Sequence, residues 1–360
     1  MINYILKKIC YGVLVIFGVV TLVFFLFNIL PGDPARMMLG QRADKQSVDM
    51  IRKDLGLDKP LYIQYLNYLN DLSFLSVHSS VPSSNFFLDT DKYPSFITLI
   101  NTQYTKVVLK KPYLRRSYQS KKNVSEIIKE ALPNTILLAV VSIAFAFIIG
   151  VCAGCFSSLH PNTWADRLIQ IITSIGMSLP SFFAAIIIAW FFAFRHADIT
   201  GLNMFGSLYT VDEMGQGEHL CLKNIILPAL TLGIRPLAVI TELTKSTLLE
   251  IYSQNYILTA KAKGLNTRQI IWRHALKNAL NPIITAVSGW FASLIAGAVF
   301  VEYIFDWKGI GVVIVDSLEK YDFPVVMGTL LVICIILVLI NIVTDIIYGI
   351  LDPRIRKAAK

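Results

Sequence analysis

Apolar, uncharged residues run in long blocks along this chain. Residues 9–30, 131–159, 168–194, 278–301 and 323–344 carry no charge at all, and a sixth block, 224–241, is interrupted only by Arg235. A bilayer core about 30 Å thick is crossed by a helix of roughly 20 apolar residues. Backbone amides have no water to bond in hydrocarbon, so each block is predicted to be helical. The expected fold class is an all-α integral membrane protein of about six transmembrane helices, with a large extracytoplasmic loop after the first. The predicted organisation is an N-terminus and first span over 1–30 and an extracytoplasmic region over 31–131. A transmembrane domain follows over 132–351, with spans near 132–158, 168–194, 224–242, 278–301 and 323–345, and then a tail over 352–360.

Composition agrees with this pattern. Hydrophobic residues make up 55% of the chain and charged residues only 16%, whereas a soluble domain is about a quarter charged. The first block follows Lys7 and Lys8 as a secretory signal would. It is longer than a signal's apolar run, and Asn28-Ile29-Leu30-Pro31-Gly32-Asp33 offers no small-residue cleavage site, so it reads as a retained span. Four of the five cysteines lie in apolar blocks. Cys152 and Cys155 form a CxxC inside a span with no neighbouring histidine, a spacing read as small residues packing between helices.

The net charge of +9 is explained by topology before nucleic acid needs to be invoked. Lys7, Lys8, Arg167, Lys261, Lys263, Arg268, Arg273, Lys277, Arg354, Arg356, Lys357 and Lys360 fall on one side of the predicted spans. Only Arg195, Lys223, Lys308 and Lys320 lie in the short loops of the other side. Basic residues accumulate in short cytoplasmic loops, so both termini are expected to be cytoplasmic. In the long loop, residues 47–55 and 63–72 read as helices, and 73–90 shows no period. The basic, tyrosine-bearing stretch 106–122 is either a solvated charged surface or a contact for an acidic partner or lipid headgroups.

The connector between the fourth and fifth spans carries the most information. Residues 257–263 favour a helix, and Gly264 can end it in a left-handed conformation. Asn266, with Gln269 three residues on, can cap a second helix. In that helix Ile270, Ile271, Ala275 and Asn278 are placed on one face. Physics alone allows a simple basic interfacial connector here. Tyr256, Thr259-Ala260-Lys261-Ala262-Lys263-Gly264-Leu265 and His274-Ala275-Leu276-Lys277-Asn278-Ala279 nevertheless resemble the cytoplasmic coupling loop of ABC importer permeases of the dipeptide/oligopeptide/nickel type. Only Ala260, Gly264 and Leu276 match the general Glu-Ala-Ala…Gly…Ile-x-Leu-Pro form. The departures at Leu258, Thr259, His274 and Lys277 resemble the peptide-type variant. Leu30-Pro31-Gly32-Asp33-Pro34, Leu55-Gly56-Leu57-Asp58-Lys59-Pro60 with Gln64-Tyr65, Val124 to Ile128 with Leu132-Pro133-Asn134-Thr135, and Leu351-Asp352-Pro353-Arg354 also resemble that family's signatures. The stretch 73–108 departs from it as an insert.

The resemblance implies a permease of the bacterial inner membrane, not an enzyme. It implies a second permease subunit, two cytoplasmic ATP-binding subunits, an extracytoplasmic substrate-binding protein and surrounding membrane lipid as partners, with no nucleic acid and no cofactor. Residues Thr259, Ala260, Lys261, Ala262, Lys263, Gly264, Leu265, His274 and Leu276 would couple to the ATPase. Lys261, Lys263 and Arg268 would meet either its acidic residues or anionic headgroups. The cargo would be peptides, with nickel complexes or glutathione as alternatives. The chain has no Gly-x4-Gly-Lys-Ser/Thr phosphate loop, in line with ATP hydrolysis by a separate subunit.

Arg235, inside the fourth block, is the candidate residue of the substrate path. The alternative for it is a structural ion pair. Pro180, Pro282 and Pro324 are expected to kink spans, with gating hinges as the alternative. Trp307-Lys308-Gly309-Ile310-Gly311 is either a simple exposed loop or a segment like the family's external re-entrant turn. Two rival classes lack their hallmarks. A secondary transporter would show intramembrane carboxylates and a repeat, yet Asp345 lies near a span's end. A hydrolase would show HExxH or GxSxG, yet His78, His160, His196, His219 and His274 are scattered among separate loops.

Overall fold

The computed structural model describes residues 2–29, 36, 44–54, 56–81, 84–89, 92, 93, 95–211 and 217–351. The signature stretch at Leu30 to Pro34, Leu55 of the next, and Asp352 to Arg354 of the last lie outside the described residues. Four helices are long and apolar enough to cross a membrane: α1 (Ile2–Ile29), α4 (Val124–Leu159), α7 (Ile226–Tyr252, entered through a 3-10 turn) and α13 (Phe323–Leu351). Between α1 and α4 lie two shorter helices, α2 (Lys45–Asp54) and α3 (Leu61–Leu72).

The two remaining apolar blocks are bent pairs. α5 (Trp164–Ser178) meets α6 (Ser181–Ile188), which a π-helical run continues to Arg195, at 115°. The straight span expected over 168–194 is thus broken. Pro180 supplies no N–H and drives Leu179 into an extended conformation at ψ 130°. The second pair bends by 48° around Pro282, within α10 (Leu276–Gly297). Pro324 makes no interior break. It sits in the first turn of α13, where a proline removes no helical hydrogen bond.

The described residues form two compact units, Met1–Gly12 with Ala131–Val312 and Ile335–Lys360, and Val13–Glu130 with Val313–Cys334. In the first, α7 packs against α5 and α10. Small residues let helices approach closely. A side chain on Gly154 of α4 would meet the Thr241 carbonyl of α7 at 2.6 Å, and one on Gly150 would meet that of Leu237 at 3.0 Å. A core of Leu138, Ala185, Leu227, Leu232, Ile295, Val301, Phe305 and Trp307 closes this unit at one end. Lys8 of α1 and Asp345 of α13 pair at 2.6 Å. All five cysteines are free thiols.

The second unit departs from the all-helical expectation. The insert forms a three-stranded antiparallel sheet, ordered β1 (Leu75–Ser79), β3 (Thr105–Lys110), β2 (Phe96–Asn101). Val77 pairs with Val107 and Ile97 with Leu109. The usual periodicity is inverted here. β1 buries Ser76 and His78 and exposes Leu75 and Val77, so its apolar residues give no inward-facing stripe. A second small ribbon, β4 (Tyr209–Val211) with β5 (Glu218–Leu220), lies in the first unit.

The insert leaves and rejoins the chain at adjoining points. Lys110 N–H donates to the Phe74 carbonyl and Tyr113 N–H to that of Asp71, both at 2.9 Å. Asp71 itself is buried. It accepts from Tyr93 Oη at 2.5 Å and pairs with Lys92 at 2.9 Å and Arg115 at 3.3 Å. Burial alone would push its carboxyl up, but the two cations outweigh that, and it titrates below the usual carboxylate range. The basic stretch expected as a surface over 106–122 is therefore partly interior: Val108 is fully buried and Lys110 is 4% exposed.

Candidate functional site

Helix α7 runs directly into the connector between the fourth and fifth spans. After a two-residue break at Ser253 and Gln254, α8 (Asn255–Ala262) begins. It ends in a Schellman arrangement. Gly264 N–H donates to the Lys261 carbonyl at 2.9 Å and Leu265 N–H to the Ala260 carbonyl at 3.3 Å. Closing those bonds requires a left-handed residue, and Gly264 has φ 79°. Asn266 then caps α9 (Thr267–Ile270). Its Oδ1 accepts from Gln269 N–H at 2.9 Å, and Gln269 Oε1 accepts from Asn266 N–H at 3.1 Å. Asn266→Ala is expected to cost about 1 kcal/mol. The thermal midpoint of the purified chain should fall, and Asn266→Asp should restore most of it.

The two short helices are fixed from within. Ile257, Ala260, Ile270, Ala275 and Ala279 pack with Leu248 and Ile251 of α7, Ile283 of α10 and Ala146 of α4. Leu265, beyond the glycine, lies against the same cluster. Burial sorts the sequence-predicted coupling residues. Ala260 and Leu276 are inside; Leu265 and His274 are half-buried; Thr259, Lys261, Ala262, Lys263 and Gly264 are exposed. The exposed face carries Leu258, 54% accessible, and Trp272, 67% accessible, beside Lys261, Lys263 and Arg268.

One expected face is corrected. Residues 271–275 form a π-helical turn, which adds a residue to the turn and shifts the phase of the helix beyond it. Asn278 therefore leaves the apolar face and Ala279, fully buried, replaces it. The displaced Asn278 instead donates to Tyr256 Oη of α8 at 3.0 Å, joining the two ends of the connector.

Two further groups were missed in the sequence. Asp166, 2% exposed in the first turn of α5, pairs with Lys245 of α7 at 2.5 Å and accepts from Ser157 Oγ of α4 and from Asn162 N–H at 2.9 Å. Thr163, three residues earlier, caps the helix through Asp166 N–H, so Thr-x-x-Asp was the available signal. At the other end of this unit, the stretch Trp307 to Gly311 is no simple exposed loop. Trp307 is fully buried and its Nε1–H donates to the Asn134 carbonyl at 3.0 Å. Ile310 N–H donates to Thr135 Oγ1 at 2.8 Å, and Asn134 Nδ2 to the Lys308 carbonyl at 2.7 Å. Glu302 in α11 (Val299–Phe305), the helix before α12 (Ile310–Glu319), is fully buried and accepts from Gly311 N–H at 2.6 Å. A side chain at Gly309 or Gly311 would strike its carboxylate. Two signature stretches far apart in the chain are thus joined by hydrogen bonds. Arg235 lies exposed on α7, with its guanidinium 3.5 Å from the Met177 carbonyl.

Residues 147–357 match the family described as binding-protein-dependent transport system inner membrane component, and residues 1–83 match its N-terminal counterpart. The chain is 31% identical to the dipeptide transport system permease protein DppB of Alkalihalophilus pseudofirmus, over 99% of this chain and 100% of that protein. It is 31% identical to the glutathione transport system permease protein GsiC of Escherichia coli strain K12, over 99% of each. An inward-facing structure of the MetNI methionine ABC transporter covers 63% of this chain and 97% of its own, with a TM-score of 0.50 at 18% identity, a likeness of fold alone.

Proposed function

The chain belongs to the binding-protein-dependent transport system inner membrane component family, and we propose from that premise that it forms part of a translocation path for peptides. It is a multi-pass membrane protein, the permease subunit of an ABC importer and not an enzyme, and its family implies ATPase and substrate-binding partners. In this reading it pairs with a second permease in the bacterial inner membrane. Both termini face the cytoplasm, and two ATP-binding subunits engage the connector between α7 and α10.

The connector carries this reading. Its apolar side is spent on its own cluster, while Leu258, Trp272, Lys261, Lys263 and Arg268 project outward. An apolar centre edged by cations is a surface suited to a groove with an acidic rim. Because α8 follows α7 after only two residues, displacement of the connector reaches the span that bears Arg235.

The test is reconstitution in proteoliposomes with the second permease, the ATP-binding subunits and the substrate-binding protein. Labelled dipeptide is expected to accumulate only with ATP present on the ATPase side, and more than glutathione or a nickel complex. Uptake without the ATP-binding subunits would refute the importer assignment; equal preference for glutathione would move the cargo to that alternative. Arg235→Leu in the same assay should reduce peptide uptake about tenfold if its cation meets a substrate carboxylate, a loss near 1.4 kcal/mol.

A further inference from the structure

Six cationic side chains from separate stretches of the second unit converge on one cavity of about 550 Å³. They are Lys53, Lys59, Lys92, Arg115, Arg116 and Lys121. The volume is that of a small-molecule site. Asp71 lines the same cavity, and its carboxylate is already taken by Lys92 and Arg115. No carboxylate among the described residues pairs with Lys53, Lys59, Arg116 or Lys121. His78, 2% exposed, also lines the cavity, and its Nδ1 has no hydrogen-bond partner among the described residues.

Like charges gathered in a concavity repel one another and focus a positive potential, raising the local concentration of anions. The backbone makes the arrangement more costly still. Arg115 and Lys121 hold φ of 67° and 60°, a conformation that favours glycine. Strain of this kind persists where the surrounding structure over-determines it, and it clusters at binding sites.

We propose that this cavity binds an oxyanion, a small ligand presenting carboxylate or phosphate groups, held chiefly by Lys59, Arg116 and Lys121. Charge-assisted bonds from a guanidinium and two ammonium groups suit such a ligand. Asp71 holds Arg115 and Lys92 in place. The proposal does not depend on which cargo the spans carry.

The experiment uses the full-length chain in neutral detergent at low ionic strength, with inorganic phosphate and succinate as probes. Both should bind saturably and raise the thermal midpoint, whereas chloride at matched ionic strength should not. Lys121→Gly removes a cation and relieves the backbone, so its midpoint without ligand should hold or rise. Combined with Arg116→Gln it should weaken phosphate binding about tenfold or more, because two cations of the site are then gone. Equal responses to chloride, or unchanged affinity in the double variant, would overturn the proposal. Nanodiscs separate the two sources of the anion. A phosphate response lost in phosphatidylglycerol discs but kept in phosphatidylcholine discs assigns the site to a lipid headgroup. A response in both assigns it to a free anion.

Discussion

Gly264→Val is expected to abolish uptake by the assembled transporter while the chain still enters the membrane. The wild-type residue holds φ 79°, and nothing lies within 4 Å of the place a β-carbon would occupy. The penalty is therefore one of backbone conformation, not crowding. A left-handed L-residue costs roughly 1–2 kcal/mol, and β-branching adds to it. The turn escapes that strain by relaxing out of the left-handed region. The Leu265 to Ala260 hydrogen bond then breaks, and Leu265 leaves its cluster. The two halves of the connector lose their fixed angle, and with it the outward face bearing Leu258 and Trp272. Co-purification with the ATP-binding subunit should fall together with uptake. Gly264→Asn, which tolerates the left-handed region, should retain much of both. Wild-type co-purification and uptake in Gly264→Val would show that the turn has no such role.

The largest stability loss is expected for Lys245→Met. Asp166 is buried and its partner Lys245 half-buried, with side-chain exposures of 3% and 15%. Removing the ammonium leaves a carboxylate away from water with only Ser157 and Asn162 to answer it. Breaking one partner of a buried pair typically costs about 3–5 kcal/mol. The folded, monodisperse yield in detergent should drop sharply. Asp166→Asn combined with Lys245→Met removes the stranded charge and should recover most of it. If the single variant is as stable as wild type, the pair is not a structural anchor. The location gives the pair a further role. Ser157 ends α4, Asp166 begins α5 and Lys245 lies in the last turns of α7, so three helices are tied just before α7 reaches the connector.

The features legible in the sequence came from local rules. Charge-free stretches of spanning length marked the helices, because a bilayer admits little else. The glycine at 264 and the Asn266 to Gln269 spacing marked a turn and a cap, because both are settled within four residues. The features not legible depended on phase or on distance. The π turn at 271–275 moves Asn278 off its expected face, and no periodicity count can anticipate an added residue. The partners Asp166 and Lys245 are 79 positions apart, and each reads alone as a residue at a helix end. Glu302 stood at the edge of an apolar block and looked like the start of a loop. Only the fold brings it under Gly309 and Gly311. The sheet escaped notice because β1 turns its polar residues inward.

The hydrogen bonds from Lys110 to Phe74 and from Tyr113 to Asp71 bear on how such a chain changes over generations. An excursion whose two ends are already in register can lengthen or shorten without re-routing the chain on either side, and closing a longer loop adds only slowly to the entropy cost. The sheet is in that sense a cassette. Its size and surface are free to diverge under selection for whatever it meets, while the helices that it interrupts keep their own order.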